Sequence, residues 1–234
     1  MQRIINFSGG RTLAYMTIQE YKEGDLVIFC DTGREHPKTY KFINDFEANE
    51  NIPIIRLKYE GGFEKLIEKR KAIPNNFKRF CTIELKIKTA RRYLRSFGIT
   101  KYENLVGFRY DEPLRIKRRK QMWKSVIDKF PLYENKIDKQ IVNNYWNKKS
   151  YNLEIPSILG NCTLCFMKGK NAIISILASY PELAKEWIDD ENKMNRTYLK
   201  GIKIEELLKI AQNNLFKDYD LSEIKPAFDC ACTS

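Results

Sequence analysis

The sequence predicts an α/β fold: a parallel sheet covered by helices, followed by a mainly helical C-terminal part. Three observations predict it. Short apolar runs rich in β-formers recur at 4–7 (IINF), 26–30 (LVIFC), 52–57 (IPIIRL) and 104–108 (NLVGF). Helical patterns lie between them, near 12–22, 37–50, 62–71 and 83–97. Such alternation argues for parallel strands joined by helical crossovers. After about residue 120 it stops, and helical patterns take over.

The 83–97 helix is the clearest of these. Ile83, Ile87, Ala90, Leu94 and Phe97 recur at helical spacing, with Lys86, Lys88, Arg91, Arg92 and Arg95 on the other faces. Segment 123–132 contains one more strand. Segment 136–149 reads as a helix with Ile137, Ile141 and Tyr145 on one stripe. The stretch 150–166 is irregular. Helices follow near 170–179, 181–194 and 203–215, and the chain from about 218 is loop-like. The expected organisation is a core over 1–130 and a helical part over 131–234, forming one compact unit.

Of 234 residues, 43% are hydrophobic, enough for a substantial core. No run approaches the ~18 apolar residues of a membrane-spanning helix. The N-terminus starts a strand at once, without the basic-then-apolar order of a secretory signal. The expectation is a cytoplasmic protein with no membrane partner. The net charge is +12, and the excess is local. Residues 65–95 hold eleven Lys or Arg against Glu68 and Glu84, and residues 109–124 hold seven against two acids. Such surfaces attract polyanions. A phosphate-rich small molecule and a nucleic acid fit the charge equally.

Between the first strand and first helix stands Ser8-Gly9-Gly10-Arg11-Thr12. Glycines there let backbone N–H groups approach a phosphate, and a helix N-terminus adds partial positive charge. A bare Gly-Gly turn is the alternative. Asp31, Thr32 and Gly33 follow the second strand, at the same sheet edge. RFCTIELK at 79–86 and the basic stretch 105–119 follow in turn. Arg109 is the leading oxyanion ligand, because a planar guanidinium binds bidentately. Arg115 and Lys86 add charge. His36, the single histidine, precedes Pro37 at a helix start and reads as structural.

Six cysteines are present. In a reducing compartment they do not read as a disulfide framework. Cys162 and Cys165 form a CxxC, which reads as a metal or redox site. Cys30 lies in an apolar run and reads as core.

Taken in order, these segments resemble the phosphoadenosine phosphosulfate (PAPS) reductase family, within the adenine nucleotide alpha-hydrolases with a pyrophosphatase loop. The matching motifs are the SGG loop at 8–10, the Asp31-Thr32-Gly33 segment with Glu35 and Pro37, Cys81 leading into Leu85-Lys86, the basic segment at Arg109, and the CxxC. They cover about residues 4–170. The resemblance implies a Rossmann-like sheet and binding of an adenine nucleotide (PAPS, APS or ATP) at Ser8, Gly9, Gly10, Arg11, Thr12, Asp31, Thr32, Gly33, Lys86, Arg109 and Arg115. It also implies a [4Fe–4S] cluster on Cys81, Cys162 and Cys165, with zinc as the alternative and Cys230 or Cys232 as a fourth ligand. Cys230 and Cys232 take the place of the family's tail nucleophile, although FDCAC differs from the family's ECGLH-like motif. The loop departs too: Arg11-Thr12-Leu13 stands where the family often has Lys-Asp-Ser. Magnesium-dependent pyrophosphatase chemistry is thereby put in doubt.

The expected activity is sulfonucleotide reduction, with a thiol reductant such as thioredoxin as partner. One alternative is sulfur transfer to nucleic acid, of the tRNA thiolation or DNA phosphorothioation type. The other is a non-catalytic nucleotide-binding module.

Overall fold

The structure, a computed structural model, describes residues 1–119, 123–213, 220–222 and 224–227. Cys230 and Cys232 lie outside the described residues.

Five strands form one all-parallel sheet: β1 (Gln2–Phe7), β2 (Leu26–Asp31), β3 (Ile54–Lys58), β4 (Tyr102–Leu105) and β5 (Val126–Lys129). Their order is β3-β2-β1-β4-β5. Ile5 of β1 stands opposite Val27 on one side and Leu105 on the other. The order therefore reverses at β1, and the loops leaving β1 and β4 diverge from neighbouring strands. In parallel sheets such a switch point opens a crevice beyond the strands' carboxyl ends.

Helices α1 (Arg11–Glu20), α2 (Pro37–Glu50) and α3 (Gly62–Arg70) follow the first three strands. A π-helical segment, Thr82–Ile87, runs into α4 (Lys88–Ser96). Then come α5 (Pro113–Arg118), α6 (Pro131–Glu134), α7 (Lys139–Trp146), α8 (Lys170–Ser179), α9 (Lys185–Met194) and α10 (Ile204–Gln212). Alternate residues of the inner strands feed two cores. Ile5, Phe7, Val27, Phe29 and Leu105 join a large cluster that continues into α7, α8 and α10. Ile4, Ile28, Tyr102 and Val126 face the other way, onto Leu94 of α4.

Two stripes differ from the sequence expectation. Ile83 and Phe97 are exposed (39% and 66%), while Glu84, Leu85 and Thr89 are buried. The π-helical turn carries extra residues per turn and rotates everything upstream against α4, which a uniform helical period does not anticipate. On α7 the buried residues are Val142 and Trp146, and Ile141 is exposed. Trp146 sets that rotation: its ring meets Phe42 at 5.1 Å and Tyr151 at 5.5 Å. The 104–108 run also ends its ladder early, at Leu105. Val106 and Phe108 are buried beyond the strand.

Candidate functional site

The loop after β1 divides its two glycines between different tasks. Gly9 has φ +75°, and a Cβ there would stand 2.6 Å from Thr39 Cγ2 of α2. Gly9 is thus needed for turn geometry and helix packing. Gly10 has extended backbone and caps α1 without a side-chain cap bond; no acid follows in the first turn. A Cβ on Gly10 would meet only Ser8 Oγ, at 3.7 Å. The start of α1 therefore has room beside it. Trp146 Nε1 donates to the Arg11 carbonyl at 2.9 Å, holding the first turn from the α7 side. Leu13 turns inward and packs so tightly under Gly107 that a Cβ there would stand 2.3 Å from Leu13 Cδ2.

The loop after β4 faces it. Arg109 forks onto Asp111, Nε to Oδ1 at 2.9 Å and a terminal nitrogen to Oδ2 at 3.1 Å. Its other terminal nitrogen donates to Thr12 Oγ1 at 3.4 Å, across the switch point. Arg115 pairs with Glu112 at 2.8 Å and lies 4.3 Å over the Phe108 ring. Partial burial pushes Asp111 up, but the Arg109 hydrogen bond and charge outweigh it and hold the carboxyl below its ordinary value. Burial lowers Arg11 from its ordinary value, and a guanidinium remains charged all the same.

Between the loops lies a cavity of about 290 Å³. Ser8, Gly10, Arg11 and Thr12 line one side, Arg109 and Arg115 another, and Lys139 and Asn143 of α7 a third. Among the described residues, four cations thus face it against one carboxylate, Glu112. A concavity of this charge favours an oxyanion.

Asp31, Thr32, Gly33 and Lys86, expected on the ligand, do not line this cavity. Asp31 Oδ1 accepts from the Gly33 amide and the Tyr40 hydroxyl, both at 2.7 Å. Thr32 Oγ1 lies 2.8 Å from each Glu35 carboxylate oxygen. The polar groups of this loop satisfy one another. Lys86 sits in the π-helical segment, where its carbonyl lies 3.6 Å from Cys30 Sγ. His36 caps α2, its Nδ1 accepting from the Lys38 amide at 3.1 Å.

The CxxC loop docks on the β2 loop instead of standing free. Glu35 bridges Cys162, the Thr163 amide donates to the Arg34 carbonyl at 2.8 Å, and Cys162 Sγ lies 3.4 Å from Thr32 Oγ1. Cys165 is buried. Lys168, also buried, donates from Nζ to the Cys162 and Thr163 carbonyls at 2.8 and 2.7 Å. Among the described residues, no three His, Cys, Asp or Glu side chains form a group that could hold a metal ion. The expected three-thiolate set of Cys81, Cys162 and Cys165 is therefore not assembled there. The Cys162 thiol is engaged by Thr32, and the Cys165 thiol packs into the large core.

Sequence reading missed Lys139 and Asn143, which face the cavity from a helix assigned by its apolar stripe alone. It also missed the structural weight of Arg34 and Lys168. The hydrophobic spacing of the α7 segment carries no signal for either side.

An arginine-lined cavity at a parallel-sheet switch point, beside a helix start with no side-chain cap, is the arrangement in which this architecture can take a phosphate. Residues 3–153 match the phosphoadenosine phosphosulfate reductase domain. The chain belongs to that family. An uncharacterised nin region protein of Escherichia phage lambda is 28% identical over 204 residues, covering 74% of this chain and 68% of that protein. An uncharacterised protein of Methanocaldococcus jannaschii is 24% identical over 237 residues, covering 89% of this chain and 54% of that protein. The chain thus spans about half the length of this archaeal relative. Among solved structures, a PAPS reductase from Candida auris in phosphate complex aligns with TM-score 0.47 and 17% identity, over 65% of this chain and 75% of that one. Among the described residues, no helix is long and apolar enough to cross a membrane.

Proposed function

We propose that this chain is an enzyme that binds an adenine nucleotide and carries out sulfur chemistry on it, reduction of a sulfonucleotide being the specific reaction. One observation carries the nucleotide reading. Two loops on opposite sides of the β1–β4 switch point present Arg11, Thr12, Arg109 and Arg115 to one cavity at the start of α1. Ser8, Gly10 and the α1 amides take the phosphate oxygens in this account, and Arg109 and Arg115 neutralise them. Asp111 and Glu112 hold the two arginines in place, so little side-chain freedom is lost on binding.

Reduction consumes two thiols, which end as a disulfide, and releases sulfite. Cys230 and Cys232 are the assigned thiols, with an external dithiol regenerating them. An iron–sulfur cluster enters the proposal only as an addition, since the described residues hold no complete donor set. It would rest on Cys81, Cys162 and Cys165; a fourth ligand taken from Cys230 or Cys232 would remove that thiol from the reduction. Anaerobic purification followed by iron, sulfide and zinc analysis tests that addition. About four irons per chain supports it; about one zinc makes the site structural.

Calorimetric titration with PAPS, APS and ATP tests binding, and sulfite release under excess dithiol tests turnover. Binding that is lost in Arg109→Ala, with sulfite release that is lost in Cys230→Ser or Cys232→Ser, is the expected pattern. Binding without turnover of any of the three leaves the non-catalytic module. Absence of binding overturns the nucleotide reading.

A further inference from the structure

We propose that the outer face of α4 is a docking surface for single-stranded nucleic acid, separate from the arginine-lined cavity. Residues 85–102 contain six Lys or Arg and no acid. The acid just before them, Glu84, is already neutralised by Arg70 and Lys88. Arg91, Arg92 and Arg95 are left without an ion-pair partner among the described residues. Their spacing, three and four residues apart, places them on adjacent ridges of one helix.

These cations are held against rings. The Arg91 guanidinium lies 3.8 Å from the Trp123 ring centroid, and Arg92 lies 5.6 Å from that of Tyr59. Stacking fixes the orientation of a guanidinium and leaves its charge available. At the end of the helix, Phe97 packs on Tyr93 at 5.0 Å and remains 66% exposed. A basic helix face with an exposed aromatic ring at its end is what a single strand recognises: phosphates meet the arginines and unpaired bases stack on the ring. An acidic protein surface would satisfy the arginines but has no need of the ring. A duplex keeps its bases stacked on one another. The face lies over the smaller core cluster, and no α4 residue lines the phosphate cavity, which opens between the β1 and β4 loops.

Fluorescence anisotropy of the full chain with a labelled oligothymidylate of about 16 nucleotides tests this. Three phosphate contacts predict binding that weakens roughly 20-fold between about 50 and 200 mM salt. Arg91→Ala/Arg92→Ala/Arg95→Ala should lose at least about tenfold, and Phe97→Ala about fivefold, with unchanged circular-dichroism melting. Arg95→Glu alone, at an exposed position, serves if the triple variant fails to fold, and should show the same direction. Arg109→Ala should bind the oligonucleotide as the wild type does. The proposal is overturned by absent binding at low salt or by binding that the α4 variants leave intact. Loss of binding in Arg109→Ala would place the oligonucleotide in the cavity and also overturn it. Equal or tighter binding of polyglutamate or of a duplex would replace the single strand with those partners.

Discussion

Arg34 and Asp190 meet at 2.8 Å with side chains only 3% and 4% exposed. This contact ties the β2 loop to α9, across the two halves of the chain. Glu186 pairs with the same guanidinium at 2.5 Å, and the Tyr198 hydroxyl donates to Asp190 at 2.7 Å. Arg34 also lies 5.1 Å over the Phe63 ring and 5.9 Å over that of Trp187. Burial pushes the Asp190 carboxyl above its ordinary value, against the opposing pull of Tyr198 and Arg34. The β2 loop also carries the CxxC contacts, so its placement governs both.

Removing one partner of that pair leaves a buried charge unmatched. Arg34→Ala should cost about 3–5 kcal/mol, which for a chain of this size lowers Tm by roughly 10 °C. Arg34→Met combined with Asp190→Leu should lose clearly less than Arg34→Met alone. Denaturant unfolding of the single and double variants checks this, and equal losses would refute it.

The two glycines of the first loop should respond in opposite ways. Gly9→Ala combines a positive φ with a 2.6 Å approach to Thr39, so a loss of about 1–3 kcal/mol is expected. Gly10→Ala meets nothing nearer than 3.7 Å and should leave Tm almost unchanged, while reducing nucleotide affinity by crowding the α1 start. Thermal unfolding and calorimetric titration of both variants separate the roles.

Arg109 presents a fork, not merely a charge. Arg109→Ala should weaken adenine-nucleotide binding by about 10- to 100-fold, the range for losing hydrogen bonds to a charged group. Arg109→Lys should recover only part of it. Full recovery with lysine would show that charge alone suffices.

Burial pushes the Cys30 thiol up to about 11, against the opposing Lys86 charge. An unfolded thiol loses its proton near ~8.5. Between these values the unfolded chain binds fewer protons than the folded one, so stability falls as pH rises. The contribution is complete below about pH 8.5 and is lost on approaching about 11, amounting to roughly 3 kcal/mol. Unfolding measured at pH 8 and pH 10.5 should show this decline in the wild type and a smaller one in Cys30→Ala. Alkylation of Cys30 at pH 8 should also be slow, because the thiolate is the nucleophile.

The alternation of apolar runs and helical periods made the parallel sheet legible from local residue patterns. Helices at 37–50 and 170–179 have the bounds that their own spacing implies. The candidate cavity was half legible. Ser8, Gly10, Arg11, Thr12, Arg109 and Arg115 carry the residue types an oxyanion needs, in loops that follow strands. Lys139 and Asn143 were not, because nothing local tells a helix which neighbour its polar side will face.

What the sequence alone determined is whatever depends on near neighbours along the chain: strand and helix periods, glycine positions in turns and the local excess of charge. Tertiary structure decided the rest. It assigned Gly9 to packing and Gly10 to the cavity, turned α7 about Trp146, and set a π-helical turn before α4. It also knotted Asp31, Thr32 and Cys162 into a satisfied loop. These outcomes rest on contacts between residues far apart in sequence, where close packing and the need to satisfy every buried polar group select one arrangement among many locally acceptable ones.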